Sequence, residues 1–199
     1  MERGHFDTRR LERLNNPGRL KELRPEQLLT QVAGVSRGMT CLDLGSGTGV
    51  FALPMAEIVG ETGTVYALDN SRDVLDYLNS LNHGPQLKTV EADVAMTGLG
   101  AGIVDVCLAA FVLHELALAD RSAAVAEAFR VLKPGGTIVI VEWRMDSRIG
   151  PPADVKISPE RARELLNSAG FEPGDYREWS ISHYVMTGSK RAGPLSPTY

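Results

Sequence analysis

The sequence predicts an α/β domain built on a mostly parallel sheet with helices on both faces, and three observations carry that expectation. From Met39 onward, short apolar runs alternate with amphipathic stretches of helical period. Near-continuous apolar strands separated by helices mark a sheet that is buried on both sides. The first of these runs ends in a glycine cluster, Gly45, Gly47 and Gly49, and the next two lead to Asp69 and Asp93. Ligands of open α/β sheets bind beyond the carboxyl ends of the strands, so one site can collect all of these residues.

Each element has its own signal. Thr40–Leu44 reads as a buried strand closed by the glycines, and 50–59 as a helix in which Pro54 is tolerable only near the first turn. Residues 64–68 form the second strand, closed by Asp69, and Ser71 is placed to cap a helix that reaches about Leu81. A third strand, 87–90, leads to Glu91-Ala92-Asp93, and a fourth, 103–110, is apolar except for Asp105. Residues 121–132 make a helix, stopped by the turn Lys133-Pro134-Gly135-Gly136, and 137–142 give the fifth strand. Ser158, Pro159 and Gly170 stand at the cap, first-turn and stop positions of a helix over 158–169. The stretch 176–188 alternates as a hairpin does. The chain thus divides into an N-terminal helical segment, 1–34, a binding domain, 35–190, and a loose tail, 191–199.

Composition sets the outer limits. A chain of 199 residues suits one domain, and 43% hydrophobic with 23% charged residues excludes a disordered or fibrous chain. The net charge of −4 offers no electrostatic footprint for nucleic acid. No apolar run approaches the ~20 residues of a membrane span, and the polar start lacks the apolar core of a signal peptide. Residues 1–24 hold seven basic and four acidic groups, but these interleave with Leu11, Leu14, Leu20 and Leu23 near helical spacing. Short helices packed on the domain fit that pattern better than a nucleic-acid arm. Cys41 and Cys107 sit inside apolar runs and form no CxxC, which suits two buried thiols in a reducing cytoplasm rather than a disulfide or zinc site. Nothing in the sequence sets the oligomeric state.

The spacing of the glycine loop narrows the ligand. Gly45-Ser46-Gly47-Thr48-Gly49 is GxGxG, with Val50 where a dinucleotide fingerprint carries its third glycine. An NAD(P)-dependent oxidoreductase is therefore weakened as a reading but stays open. A phosphate P-loop is excluded, because no Gly-Lys-Ser/Thr follows. The turn brings backbone close to a ligand, and Asp43 beside it suits an ammonium better than a pyrophosphate. Asp69, 20 residues beyond Gly49, stands where a carboxylate accepts hydrogen bonds from ribose hydroxyls. Together these point to an adenosine-bearing ligand with an amino-acid tail.

Leu42-Asp-Leu-Gly-Ser-Gly-Thr-Gly49, Val65-Tyr-Ala-Leu-Asp69, Glu91-Ala-Asp93 and Leu132-Lys-Pro-Gly-Gly136 resemble, in that order, the motifs of class I S-adenosylmethionine-dependent methyltransferases. Phe111-Val-Leu-His-Glu115 and Arg130-Val-Leu-Lys-Pro-Gly-Gly136 are similar to the ubiquinone/menaquinone-biosynthesis-type (methyltransferase type 11-like) branch. The resemblance implies a Rossmann-like seven-stranded sheet of order 3-2-1-4-5-7-6 with the last strand antiparallel. It implies S-adenosylmethionine as cofactor, S-adenosylhomocysteine as product and a small-molecule acceptor. Gly45, Ser46 and Gly47 would line the methionine moiety, with Asp43 near its ammonium or holding the loop. Asp69 would bind the ribose and Asn70 border the adenine, Asp93 and Val94 would face the adenine amino group, and Ala110 and Phe111 would close the other side. A cofactor-binding protein lacking transferase activity is the remaining alternative.

Methyl transfer needs alignment and exclusion of water first, and a general base only where the acceptor sheds a proton. His114, just after the fourth strand, is the first candidate base; a helix-start histidine bonded to backbone is the other reading. Glu115 either orients that imidazole or caps a helix. Arg144 and Arg148 stand where an anionic group could be held, or serve the surface. His5 and Phe6 belong to a segment that could fold over the acceptor, His183 reads as structural and His83 as exposed. Metal is not expected, since no HxxxH pair or cysteine cluster is present.

Overall fold

A computed structural model describes residues 16–81 and 83–192. Five parallel strands and an antiparallel pair form one sheet of order β3-β2-β1-β4-β5-β7-β6. In chain order these are α1 (Pro17–Leu23), β1 (Thr40–Leu44), α2 (Ala52–Val59), β2 (Thr64–Asp69), α3 (Arg72–Ser80), β3 (Leu87–Glu91), β4 (Val104–Ala110), α4 (Leu118–Val131), β5 (Leu132–Trp143), α5 (Pro159–Ala169), β6 (Glu172–Glu178) and β7 (His183–Ser189). Order and direction agree with the expectation from the sequence. The segment His5 and Phe6, and the tail beyond residue 192, lie outside the described residues.

Because successive strand residues face opposite sides, the apolar runs supply two cores at once. Leu42, Leu44, Cys107, Ile138 and Ile140 face α4 and α5, while Cys41, Val65, Leu108, Val139 and Val141 face α2 and the N-terminal helices. Cys41 aligns with Val106 and Leu42 with Cys107, so the two thiols lie on opposite faces of the sheet and stay apart. Burial pushes the Cys41 thiol up to about 12 and raises Cys107 as well. The polar exception in β4, Asp105, is paired: Lys133 Nζ lies 2.7 and 2.8 Å from its oxygens, and the Thr40 amide donates to it at 2.8 Å.

Two local expectations change. Lys133-Pro134-Gly135-Gly136 does not leave the sheet between α4 and β5. β5 already pairs at Leu132 with Val104 and resumes at Thr137 with Val106, so the motif is an outward bulge within the strand. Gly135 makes this possible at φ 84°, its amide donating to Lys190 O at 2.7 Å. Ser71 occupies the cap position of α3, but its side chain makes no cap hydrogen bond. Its amide donates to Asp69 Oδ1 at 3.0 Å, so that carboxylate reaches the turn before α3. Ser158 does cap α5, accepting from the Arg161 amide at 3.2 Å, and Gly170 ends that helix at φ 96°.

The loop after β3 is held from below. Glu127 of α4 accepts from the Thr97 amide (2.9 Å) and hydroxyl (2.6 Å) and pairs with Arg130, which holds its carboxyl down at about 2. Asp93 and Val94 are thereby presented at the carboxyl edge. Among the described residues, no helix is long and apolar enough to cross a membrane.

Candidate active site

At the carboxyl ends of β1 to β4 lies one cleft. Its lining includes Asp43, Gly45, Ser46, Gly47, Asp69, Asn70, Asp93, Val94, Ala110 and Phe111, so the structure brings together all ten residues singled out from the sequence for cofactor binding. Arg19, Val112, Glu115 and Leu116 complete the rim on the β4 side.

The turn after β1 is shaped by backbone that only glycine adopts cheaply. Gly45, Gly47 and Gly49 have φ of 75, 51 and 85°. A Cβ on Gly45 would come within 2.5 Å of Val112 Cγ2, whereas one on Gly47 would meet nothing within 4 Å. Gly45 therefore lets β1 and the post-β4 segment close on each other, and Gly47 leaves room over the turn for a ligand. Asp69 braces this turn: its Oδ2 accepts from the Gly47 amide at 3.0 Å.

Asp43 is 2% exposed, and burial, with the nearby Asp69 charge, pushes its carboxyl up to about 7. One of its oxygens takes the Ala52 amide at the start of α2; Oδ2 is buried and unpaired. Ser46 Oγ is likewise buried without a partner. Two unsatisfied oxygens on a cleft wall cost free energy unless a ligand supplies donors. At the other end, Asp93 Oδ1 accepts from the Ala95 amide at 2.7 Å, which fixes the carboxylate at the edge of the cleft.

His114 is not in the cleft lining. Its Nδ1 lies 2.8 Å from Glu142 Oε2, and its amide donates to Glu142 Oε1 at 3.2 Å. Glu142, at the end of β5, is fully buried, and the imidazole is 10% exposed. The imidazole is held by Glu142, and Glu115 sits on the rim of the cleft at the end of a short 3₁₀ turn. Glu142 was missed because a glutamate ending a strand reads as solvated, and its partner is 28 positions away.

Beyond Phe111 lies an aromatic cluster the sequence did not announce. Phe111, in the left-handed region at φ 62°, packs 5.5 Å from Trp143 and 5.0 Å from His183, which themselves lie 4.5 Å apart. His183 is buried as expected. Burial holds its imidazole down at about 4, and it is neutral at pH 7. Ser180 Oγ accepts from two backbone amides, so it donates to His183 Nδ1 at 3.0 Å and the ring proton falls on Nε2, which is buried and unpaired. Arg144 binds Asp146 and Glu178, which answers its charge within the protein, and Arg148 is exposed. His83 is half-buried rather than exposed, with Nδ1 3.2 Å from Gly84 O. Among the described residues no group of three His, Cys, Asp or Glu could hold a metal ion.

A family model described as a methyltransferase domain matches residues 42–140. The chain is 32% identical over 115 residues to the ubiquinone/menaquinone biosynthesis C-methyltransferase UbiE of Haemophilus ducreyi, across 56% of this chain and 44% of that protein. It is 26% identical over 179 residues to UbiE of Escherichia coli, across 72% and 70% of the two chains. The match thus spans less than half the length of the Haemophilus protein. Among solved structures, a SAM-dependent methyltransferase from Aquifex aeolicus has a TM-score of 0.84 and 28% identity, over 93% of this chain and 99% of that one. A seven-stranded sheet of this order, the glycine turn and these similarities define a class I S-adenosylmethionine-dependent methyltransferase, with S-adenosylmethionine as its cofactor. Within that class the chain is similar to the type 11 branch and, among its members, to the UbiE proteins. The cleft fits the cofactor: Asp43 Oδ2 and Ser46 Oγ are buried acceptors without a donor, and Gly47 leaves the space above the turn open.

Proposed function

We propose that this chain transfers a methyl group from S-adenosylmethionine to a small-molecule acceptor seated on the β4–β5 side of the cleft. The observation that carries the reading is the gathering of the ten strand-end residues around two buried, unpaired oxygens, Asp43 Oδ2 and Ser46 Oγ. The relatives named UbiE are C-methyltransferases of ubiquinone and menaquinone biosynthesis, and an acceptor with a flat apolar part suits the walls offered by Phe111, Val112 and Leu116.

The cofactor, when bound, supplies a methyl group on a sulfonium whose positive charge disperses during an in-line displacement. Asp69 and Asn70 hold the ribose side, Asp93 and Val94 the adenine edge, and Asp43 the ammonium. Ala110, Phe111 and Val112 keep water from the face where the acceptor approaches, so positioning supplies much of the acceleration. His114 serves only an acceptor that sheds a proton. The contact of Nδ1 with Glu142 Oε2 leaves Nε2 as the ring nitrogen turned away from that carboxylate. The free, buried thiols Cys41 and Cys107 support placing the protein in the reducing cytoplasm. The net charge of −4 argues against a nucleic-acid acceptor.

Transfer of labelled methyl from S-adenosylmethionine across a panel of small aromatic and aliphatic acceptors tests the reading, with transfer RNA and duplex DNA as contrasts. Label appearing on a small molecule is the expected result. Tight cofactor binding with no label on any acceptor would instead favour a cofactor-binding protein. On a true acceptor, unchanged turnover in His114→Ala would remove that residue from the chemistry.

A further inference from the structure

The cofactor cleft is lopsided in charge. Asp43, Asp69, Asp93 and Glu115 line it, and among the described residues of its lining Arg19 is the one cation. The amino-acid tail of S-adenosylmethionine is a zwitterion. The acids suit its ammonium, but its carboxylate would enter a wall of like charge with no cation supplied by the strand ends.

Position along the sheet selects the end that needs the cation. The ends of β3, β2, β1 and β4 follow one another at a spacing of about 4.8 Å, so Asp93 and Phe111 stand about 14 Å apart. With the adenosine at Asp93 and Asp69, the tail lies at the β1–β4 end. There the Arg19 guanidinium sits over the Phe111 ring, 5.0 Å from its centroid.

Arg19 belongs to α1, outside the residues 42–140 that match the family model, and tertiary contacts hold that helix in place. Asn16 caps its start by accepting from the Gly18 amide at 2.9 Å. At its end Leu23 is fully buried, Trp179 Nε1 donates to Leu23 O at 2.5 Å, and Arg24 lies 4.2 Å over the Trp179 ring while donating to Trp179 O. Glu22, three positions after Arg19 and so on the same side of the helix, reaches within 4.0 Å of His183. Arg19 is thus presented to the cleft from a pinned helix.

We propose that Arg19 recognises the carboxylate of the cofactor's amino-acid tail, which makes α1 a working part of the cofactor site. The assignment rests on the S-adenosylmethionine reading above. A guanidinium offers a planar fork that matches a carboxylate with two parallel hydrogen bonds, and its contact with the Phe111 ring holds it at the β4 edge of the cleft. The tail would then be held by opposite charges at both of its ionic groups, Asp43 on the ammonium and Arg19 on the carboxylate.

The test is calorimetric titration of the full chain with three probes. These are S-adenosylhomocysteine, its decarboxylated counterpart that keeps the amine, and 5′-methylthioadenosine, which lacks both ionic groups. Arg19→Gln should weaken S-adenosylhomocysteine at least tenfold and leave the other two within twofold. Arg19→Lys, which keeps the charge and loses the fork, should fall between, and Lys21→Gln on the exposed side of α1 should change nothing. Equal weakening of all three probes, or no weakening of any, in a variant with wild-type circular dichroism overturns the assignment alone. If Arg19→Gln does not fold, Arg19→Lys decides: unchanged selectivity between the first two probes overturns it. Failure of the wild-type chain to bind S-adenosylhomocysteine overturns the cofactor reading and this assignment with it.

Discussion

On the β1–β3 side of the carboxyl edge, recognition is built from backbone: three left-handed glycines, amides that bind Asp69 and Asp93, and oxygens of Asp43 and Ser46 left unpaired. On the β5–β7 side it is built from side chains that already hold one another. His114 is bound to Glu142, Ser180 to His183, Arg144 to Asp146 and Glu178, and Phe111, Trp143 and His183 pack as one cluster. The first side is formed before any ligand arrives, and a bound cofactor relieves unsatisfied groups there. The second side is already satisfied by its own packing and pairing. Glu22 Oε1 and His183 Nε2, both buried and unpaired, are where it is least satisfied, and the two residues approach to 4.0 Å through Glu22 Oε2 and His183 Nδ1.

The largest effect should come from closing the cofactor side. Gly45→Val puts a branched side chain at φ 75° and within 2.5 Å of Val112 Cγ2, so binding of S-adenosylhomocysteine should fall below detection in calorimetry. Backbone strain of about 1–3 kcal/mol would accompany this, readable as a lower urea midpoint. Persistence of wild-type affinity would show that the β1–β4 approach does not shape the site.

Next is the buried pair on the other side. Glu142→Ala leaves the His114 imidazole and amide without their acceptor, and should cost about 3 kcal/mol in urea unfolding. Cofactor affinity should move far less than stability. The reverse ranking would break the division between the two sides.

Two titrations sharpen the contrast, and their signs differ in origin. Asp43 has a folded pKa raised to about 7 from 3.8, so the folded apo protein binds the extra proton between those values. Its apo stability therefore falls as pH rises through that window, and an ammonium ligand must displace the proton below pH 7. Affinity for S-adenosylhomocysteine should strengthen from pH 5.5 to 7 and then level, by up to about tenfold per unit. Asp43→Asn should bind weakly and without this slope. His183 has a folded pKa lowered to about 4 from 6.5, so the unfolded chain binds more protons in between. Stability should be lost as pH falls from 6.5 towards 4, by at most about 3 kcal/mol, and His183→Gln should remove that part of the acid loss. An unchanged acid limb in the variant would mean His183 is not held neutral.

The smallest effect is reserved for the rim. Arg144→Ala breaks two exposed ion pairs, and should leave both Tm and cofactor affinity at wild-type values. A clear loss of acceptor turnover instead would return Arg144 to the site.

How much was legible follows the same division. Strand order came with the family resemblance, while the glycine turn and the ten cleft residues could be read because each lies at a strand end or in the turn that follows it. The pairings His114–Glu142, Glu22–His183 and Leu23–Trp179 could not, since they join positions 28 to 161 residues apart through side chains with no spacing to betray them. Even within an element the reading failed where an outside partner took over. The bulge at Gly135 stays in the sheet because Lys190 O receives its amide.

By itself the sequence determined the sheet, its cofactor turn and the class of molecule that turn accepts. Hydrophobic period and left-handed glycines act over a few residues, and no distant contact can reverse them cheaply. Only the tertiary structure decided which imidazole is oriented, by which acid, and which helix brings a cation to the cleft. Those depend on side chains meeting across strands β4, β5 and β7 and helix α1, and such meetings exist only once the sheet has folded.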